Sequence, residues 1–130
     1  MQRSLTRENT AAQLLAAAGH HTQQNPSPAE VAAARAASGD TGDPTKNPDY
    51  LVDGRVFDCY SPGETKPVRG VWSEVEEKIV NEQTQRVVVN LEDWGGDLPD
   101  LRKQFDDWPI ENLKEVKAIL PDGQIVQIHP

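Results

Sequence analysis

A chain of 130 residues can build one hydrophobic core but hardly two, so a single domain is expected. Its net charge of −8, from 13 basic and 21 acidic residues, excludes general attraction to nucleic acid or anionic membrane; phosphate must be met by a local basic patch or a bound cation. The lone Cys59 excludes an internal disulfide and a cysteine-built zinc site. With no apolar run of about 18 residues and no signal-like apolar region in MQRSLTRENT, the chain reads as soluble, without membrane contact.

The first predicted element is a helix from Ser4 to Ala18, with Ser4 or Thr6 as cap and Gly19 as stop. Leu5, Ala12 and Leu15 fall on one face, and Glu8 lies on that same face, so a carboxylate points inward. His20 to Asn25 is a polar stretch with strand character. Ser27, Pro28 and Glu30 spell a helix start for the alanine-rich run that ends at Gly39, and SGDTGDPTKNP is loop by composition. Residues 26–48 read as a mobile insertion in the domain.

DYLVDGRVFD follows. Asp53-Gly54 between strand formers predicts a two-residue type I′ hairpin turn, which places Val52 opposite Arg55, Leu51 opposite Val56, Tyr50 opposite Phe57, and Asp49 opposite Asp58. After a Pro- and Gly-containing loop with Lys66 and Arg69, VWSEVEEKIVNEQ predicts a helix with Trp72, Val75 and Ile79 as its apolar stripe. Lys78 lies at the edge of that stripe and Gln83 near it. RVVVNL, from Arg86, has the continuous apolar run of a central strand. Asp97 is placed to cap a helix holding Leu98, Leu101, Phe105 and Trp108. LKEVKAIL and QIVQI about Pro121-Asp122-Gly123 make a second hairpin. The order predicts an α/β or α+β domain: a small central mixed sheet flanked by helices.

Like charges directly opposite across a strand pair are destabilising, so Asp49 and Asp58 call for a neutralising group. A hard divalent cation, Mg²⁺ before Mn²⁺ or Zn²⁺, takes carboxylate oxygens and bridges to phosphates. Both aspartates share a face with Leu51 and Val56; if that face packs on the first helix, Glu8 joins them as a third acid. Arg55, Lys66, Arg69, Lys78 and Arg86 are the cations from which a local phosphate track can form, and His20, His21 and His129 read as surface residues.

The pattern REN-AA--LAAAG, then QNP, NPDYLVDGRVFDCYSP, EKIVNEQTQRVVVNL and KEVKAILPDGQIVQI resembles the C-terminal tRNase domain of contact-dependent growth inhibition toxins of the CdiA type. The likeness covers most of the chain outside residues 26–46, and NPDYLVDGRVFD is its most specific part. The resemblance implies a fold similar to PD-(D/E)XK nucleases and metal-dependent cleavage of tRNA. It also implies Glu8, Asp49 and Asp58 as the metal-holding acids. The motif lysine is expected two residues after the second acid, where this chain has Tyr60, so Lys78 is the candidate for a migrated equivalent. Gln83, Arg86 and Arg69 are the candidate substrate contacts. The resemblance further implies a secreted or surface exoprotein as parent, action in the target-cell cytoplasm, and a cognate immunity protein as partner. The alternatives are a DNase of the same fold class and a non-enzymatic acidic immunity or binding module, which the net charge would suit.

Overall fold

The computed structural model describes residues 2–130, with side chains described from Thr6 onward. Among them the order is α1 (Gln2–Ala17), β1 (Thr22–Gln24), α2 (Pro28–Ser38), β2 (Tyr50–Val52), β3 (Arg55–Tyr60), α3 (Val68–Val80), β4 (Arg86–Asn90), α4 (Leu98–Asp107), β5 (Glu115–Ile119) and β6 (Ile125–His129). The strands form a mixed six-stranded sheet in sequence order, β1-β2-β3-β4-β5-β6. β3–β4 and β4–β5 are parallel and the other neighbours antiparallel. Parallel neighbours need a crossover, and α3 and α4 supply the two.

Helices cover both faces. Ala11, Ala12 and Leu15 of α1 pack on Tyr50, Val52, Phe57, Val88 and Ile119. On the other face Val71, Trp72, Val75 and Ile79 of α3, with Leu101 and Phe105 of α4, pack on Val87, Val89, Val116 and Ala118. β4 is sandwiched between the two layers, and Val87, Val88 and Val89 are all fully buried, as an uninterrupted apolar run requires.

The hairpin has the expected register, Tyr50↔Phe57, Leu51↔Val56 and Val52↔Arg55. Asp53 and Gly54 both take positive φ, +51° and +80°. The Asp53 carboxylate also receives the His21 amide at 2.8 Å and faces His20 Nδ1 at 2.7 Å, tying the turn to the segment before β1. Gly54→Ala meets no steric obstacle but forces a side chain onto left-handed backbone. We expect a loss of about 1 kcal/mol, read from the urea midpoint of unfolding; an unchanged midpoint would show that the turn tolerates a Cβ.

Several expected boundaries move. α1 begins at Gln2, so Ser4 and Thr6 lie within the helix rather than capping it, and the side chain of Leu5 is outside the described residues. Its end is as expected: Gly19 at φ +96° donates to Ala16 and His20 donates to Leu15, closing the helix in a left-handed cap. α3 runs from Val68 to Val80, which puts Gln83 in the following turn and not on the helix. Asp97 occupies the N-cap of α4 without a capping side-chain bond, and Trp108 lies just past the helix end, half exposed.

The 26–48 segment contains a fully capped helix: the Ser27 hydroxyl accepts the Glu30 amide, and the Glu30 carboxylate accepts the Ser27 amide. Val31 and Ala34 of α2 pack on Val56 and Leu51. Beyond the helix, Asp40 pairs with Arg86 and Lys114, and Thr41 N–H donates to Gln85. The segment is thus joined to the sheet and to the stretches that lead into β4 and β5.

Candidate active site at the end of the first hairpin

Asp58 lies in β3, and its side chain is completely buried. Its two oxygens are fully engaged. Oδ1 accepts the Asp49 backbone amide at 3.0 Å, and Oδ2 accepts the Lys78 ammonium at 3.0 Å together with the Gln83 side-chain amide. Asp49 returns the interaction across the hairpin end, its Oδ2 accepting the Cys59 amide at 2.8 Å. The two aspartates therefore face each other as expected, but each carboxylate is steadied by the opposing strand's N–H. This crossed pattern extends the ladder by side-chain bonds where its backbone bonds stop.

Glu8 reaches the same neighbourhood by another route. The expectation that the Leu51 and Val56 face packs on the first helix is not met, because α2 covers that face and α1 covers the opposite one. Successive strand residues alternate in direction, so Tyr50 points to α1 while its neighbours point away. Its buried phenol donates to the main-chain oxygen of Glu8. Arg7 pairs with Glu92 and Asp93 at 3.1 and 2.9 Å, and Asn90 Nδ2 donates to the Arg7 carbonyl at 3.2 Å. These contacts hold one turn of α1 beside the acids. Nothing in the sequence marked Tyr50 for this, beyond the rule that a buried tyrosine hydroxyl finds a partner.

The electrostatics follow from three carboxylates and one ammonium. Burial, then the charge of Asp58, pushes Asp49 up to about 7. Burial and the same Asp58 charge raise Glu8, against a smaller lowering by Lys78. Burial alone would lower Lys78, but Asp58 outweighs it and the ammonium ends above its ordinary value, so Lys78 is a fixed cation at neutral pH. Cys59 is no nucleophile: burial pushes its thiol up to about 12.

Tyr60, at the position where the family motif would carry lysine, has Lys66, Glu74 and Lys78 as its charged neighbours. The ammonium that lies beside Asp58 is that of Lys78, from α3. Of the candidate substrate contacts, Gln83 is brought in, but its amide is committed to Asp58. Arg86 is not brought in. Its guanidinium is held by Asp40 at 2.7 Å and Glu115 at 2.6 Å, because β4 starts beside β5 and the end of α2. Arg69 is exposed and lies over the Trp108 ring at 5.1 Å. Lys66 pairs with Glu74 at 3.4 Å. Most of the expected cationic track is therefore already paired.

The donor set suits a hard divalent cation: carboxylates outnumber the ammonium, and burial with the charge of Asp58 raises the proton affinity of Asp49 and Glu8. Among the described residues no three His, Cys, Asp or Glu side chains converge on one point. Asp58 is turned toward Lys78 and Gln83, while Asp49 and Glu8 are the less committed oxygens.

Residues 46–125 match the family model of the contact-dependent growth inhibition CdiA C-terminal domain. The chain is 36% identical over 128 residues to the tRNA nuclease CdiA-2 of Burkholderia pseudomallei (strain 1026b), across 98% of this chain but only 4% of that much longer protein. A chain of the solved CdiA-CT/CdiI toxin and immunity complex from Burkholderia pseudomallei superposes with a TM-score of 0.82 at 33% identity, covering 99% of this chain and 86% of that one. The mixed sheet with helices on both faces is thus a fold already seen in a toxin of this kind. With the family match spanning most of the sheet and both acids of the hairpin, the chain belongs to the contact-dependent growth inhibition CdiA C-terminal domain family.

Proposed function

We propose that this domain is a metal-dependent endoribonuclease that cleaves tRNA, the toxic end of a larger delivered exoprotein. The observation that carries the reading is the fully buried Asp58, bound by Lys78 and Gln83 and facing Asp49 across the hairpin end. Burying an acid and an ammonium this way stabilises a fold little and is often neutral against an apolar substitute. A shaped charge site for phosphodiester chemistry gives the pair a purpose. The names of the similar proteins, a tRNA nuclease and a toxin with its immunity protein, support tRNA as substrate and a cognate immunity protein as partner.

Asp49 and Glu8, the less committed acids, would hold the cation, Mg²⁺ first among the candidates, beside the Asp58 carboxylate that Lys78 and Gln83 hold. Bound there, a divalent metal lowers the pKa of a water and offsets charge on the scissile phosphate. Lys78 presents a permanent positive charge to a phosphate oxygen as negative charge grows in the transition state. Gln83 and the Asp49 amide fix the rotation of the Asp58 carboxylate. The Cys59 amide does the same for Asp49, and Tyr50 sets the height of Glu8. Of the candidate substrate contacts, Arg69, exposed beside Trp108, is the one left to meet the RNA backbone.

The test is incubation with total tRNA, supercoiled DNA and single-stranded DNA, with and without chelator. We expect discrete tRNA fragments that vanish with chelator and return with excess Mg²⁺. Cleavage that survives chelation would overturn the metal, and DNA cut at the rate of tRNA would overturn the substrate. An acidic inhibitor module would cut nothing and would not arrest growth on expression.

A further inference from the structure

Gln83 raises a structural question. It sits in a turn, after Glu82 at φ +57°, yet its amide is held against a completely buried carboxylate. A side chain on a loose turn would not hold that position, so something must fix the turn. α3 contributes from below: the main-chain N–H of Gln83 donates to the Lys78 carbonyl at 3.0 Å and that of Glu82 to the Ile79 carbonyl at 3.0 Å. The remaining contacts come from the 26–48 segment. Asp43 N–H donates to the Glu82 carbonyl at 2.8 Å, and Arg35 Nη2 donates to the Gln83 carbonyl at 3.0 Å.

Arg35 is an unusual residue for this task. It lies on an alanine-rich helix with 9% of its surface exposed, and its Nη1 also reaches the Asp43 carbonyl at 3.4 Å. The loop has closed over it so tightly that a Cβ on Gly42 would stand 2.3 Å from Nη2. A side chain at this position would have to push the guanidinium aside, whereas no special backbone angle calls for glycine. A guanidinium holds two carbonyls from different segments with a rigid planar set of donors, a preorganised geometry that the single rotatable ammonium of a lysine lacks.

We infer that Arg35, clamped by Gly42 and Asp43, is a positioning residue for the acid site: it holds the 82–83 turn so that the Gln83 amide meets Asp58. This deepens the proposed function and rests on its reading of Asp58 as a site acid. It also gives the α2 segment a task in the site. Without Gln83, Oδ2 of Asp58 keeps only Lys78 as donor, and the carboxylate gains freedom to turn.

The experiment is a double-mutant cycle on a tRNA that the wild-type domain cleaves, using Arg35→Met, Gln83→Ala and the pair. We expect each single change to lower kcat about ten-fold with KM within about two-fold, and the double to be no slower than the singles. Independent losses, multiplying to about a hundred-fold, would overturn the inference, as would an unchanged kcat in Arg35→Met. Should Arg35→Met fail to fold, Gly42→Ala moves the guanidinium while keeping it, and the same kcat loss is expected. A second readout does not depend on activity. The side-chain amide signals of Gln83 in a ¹⁵N–¹H spectrum should move to ordinary solvent-exposed glutamine positions in Arg35→Met or Gly42→Ala, as in Asp58→Ala. Signals that stay in place would overturn the positioning role. A wild-type domain that leaves tRNA intact would overturn the nuclease reading alone, since the spectra still decide the clamp.

Discussion

Asp58→Ala should lower tRNA cleavage at least a thousand-fold and weaken the fold by about 3–5 kcal/mol. The first effect follows from its place: it is the one acid touched by Lys78, Gln83 and the opposing hairpin strand. The second follows from what is left behind. Removing one partner of a buried pair strands the other, and the Lys78 ammonium would remain mostly buried without its carboxylate. The two effects can be separated. Lys78→Met in the Asp58→Ala background removes the orphaned charge, so it should regain much of the lost stability while cleavage stays absent. Asp58→Asn keeps the volume and one acceptor oxygen, so it should unfold closer to wild type and still cut nothing measurable. If Asp58→Asn retains more than about a tenth of wild-type activity, the carboxylate charge is not what the site uses.

The locally determined features of this chain were legible and the remote ones were not, for reasons that particular residues make plain. Asp53-Gly54 decided the hairpin register because positive φ at two successive positions is a local demand, and the facing of Asp49 and Asp58 followed by counting outward. Ser27 and Glu30 announced α2 for the same reason: a capping box is complete within four residues. Val87 to Val89 marked the doubly covered strand. Which helix covers which face of the hairpin is a tertiary matter, however, and alternation alone could not decide it. Hence Glu8 was assigned to the acids through the wrong face, whereas the hydroxyl of Tyr50 supplies the link. Arg86 shows the opposite failure. Basic residues look available in a sequence, but Asp40 and Glu115, forty-odd and about thirty residues away, take its guanidinium. Lys78 is a candidate only through the resemblance, whose motif position holds Tyr60 here, because its contact with Asp58 joins α3 to β3 across twenty residues.

Asp49→Asn should make the domain more stable at pH 8 and leave it near wild type at pH 4.5, while lowering cleavage at least a hundred-fold. Asp49 is pushed up to about 7 in the fold, against 3.8 for the ordinary carboxyl. Between those values the native state holds a proton that the unfolded chain has released, so stability falls as pH rises through this window. A displacement of about three pH units corresponds to about 4 kcal/mol, and a partial relaxation of the hairpin end leaves about 2–4 kcal/mol to be seen. Asparagine carries no charge to strain the site, and its carbonyl oxygen can still accept the Cys59 amide that Asp49 accepts now. Urea unfolding at the two pH values measures the difference directly. A variant destabilised equally at both would show that Asp49 is not the strained acid. Divalent cation adds an independent check, because a ligand that binds only the folded state stabilises it in proportion to its occupancy. Millimolar Mg²⁺ at pH 8 should raise the wild-type unfolding midpoint, by relieving the charge that Asp49, Asp58 and Glu8 place together. It should do little for Asp49→Asn, where both the excess charge and the ligand oxygen that would take the metal are gone.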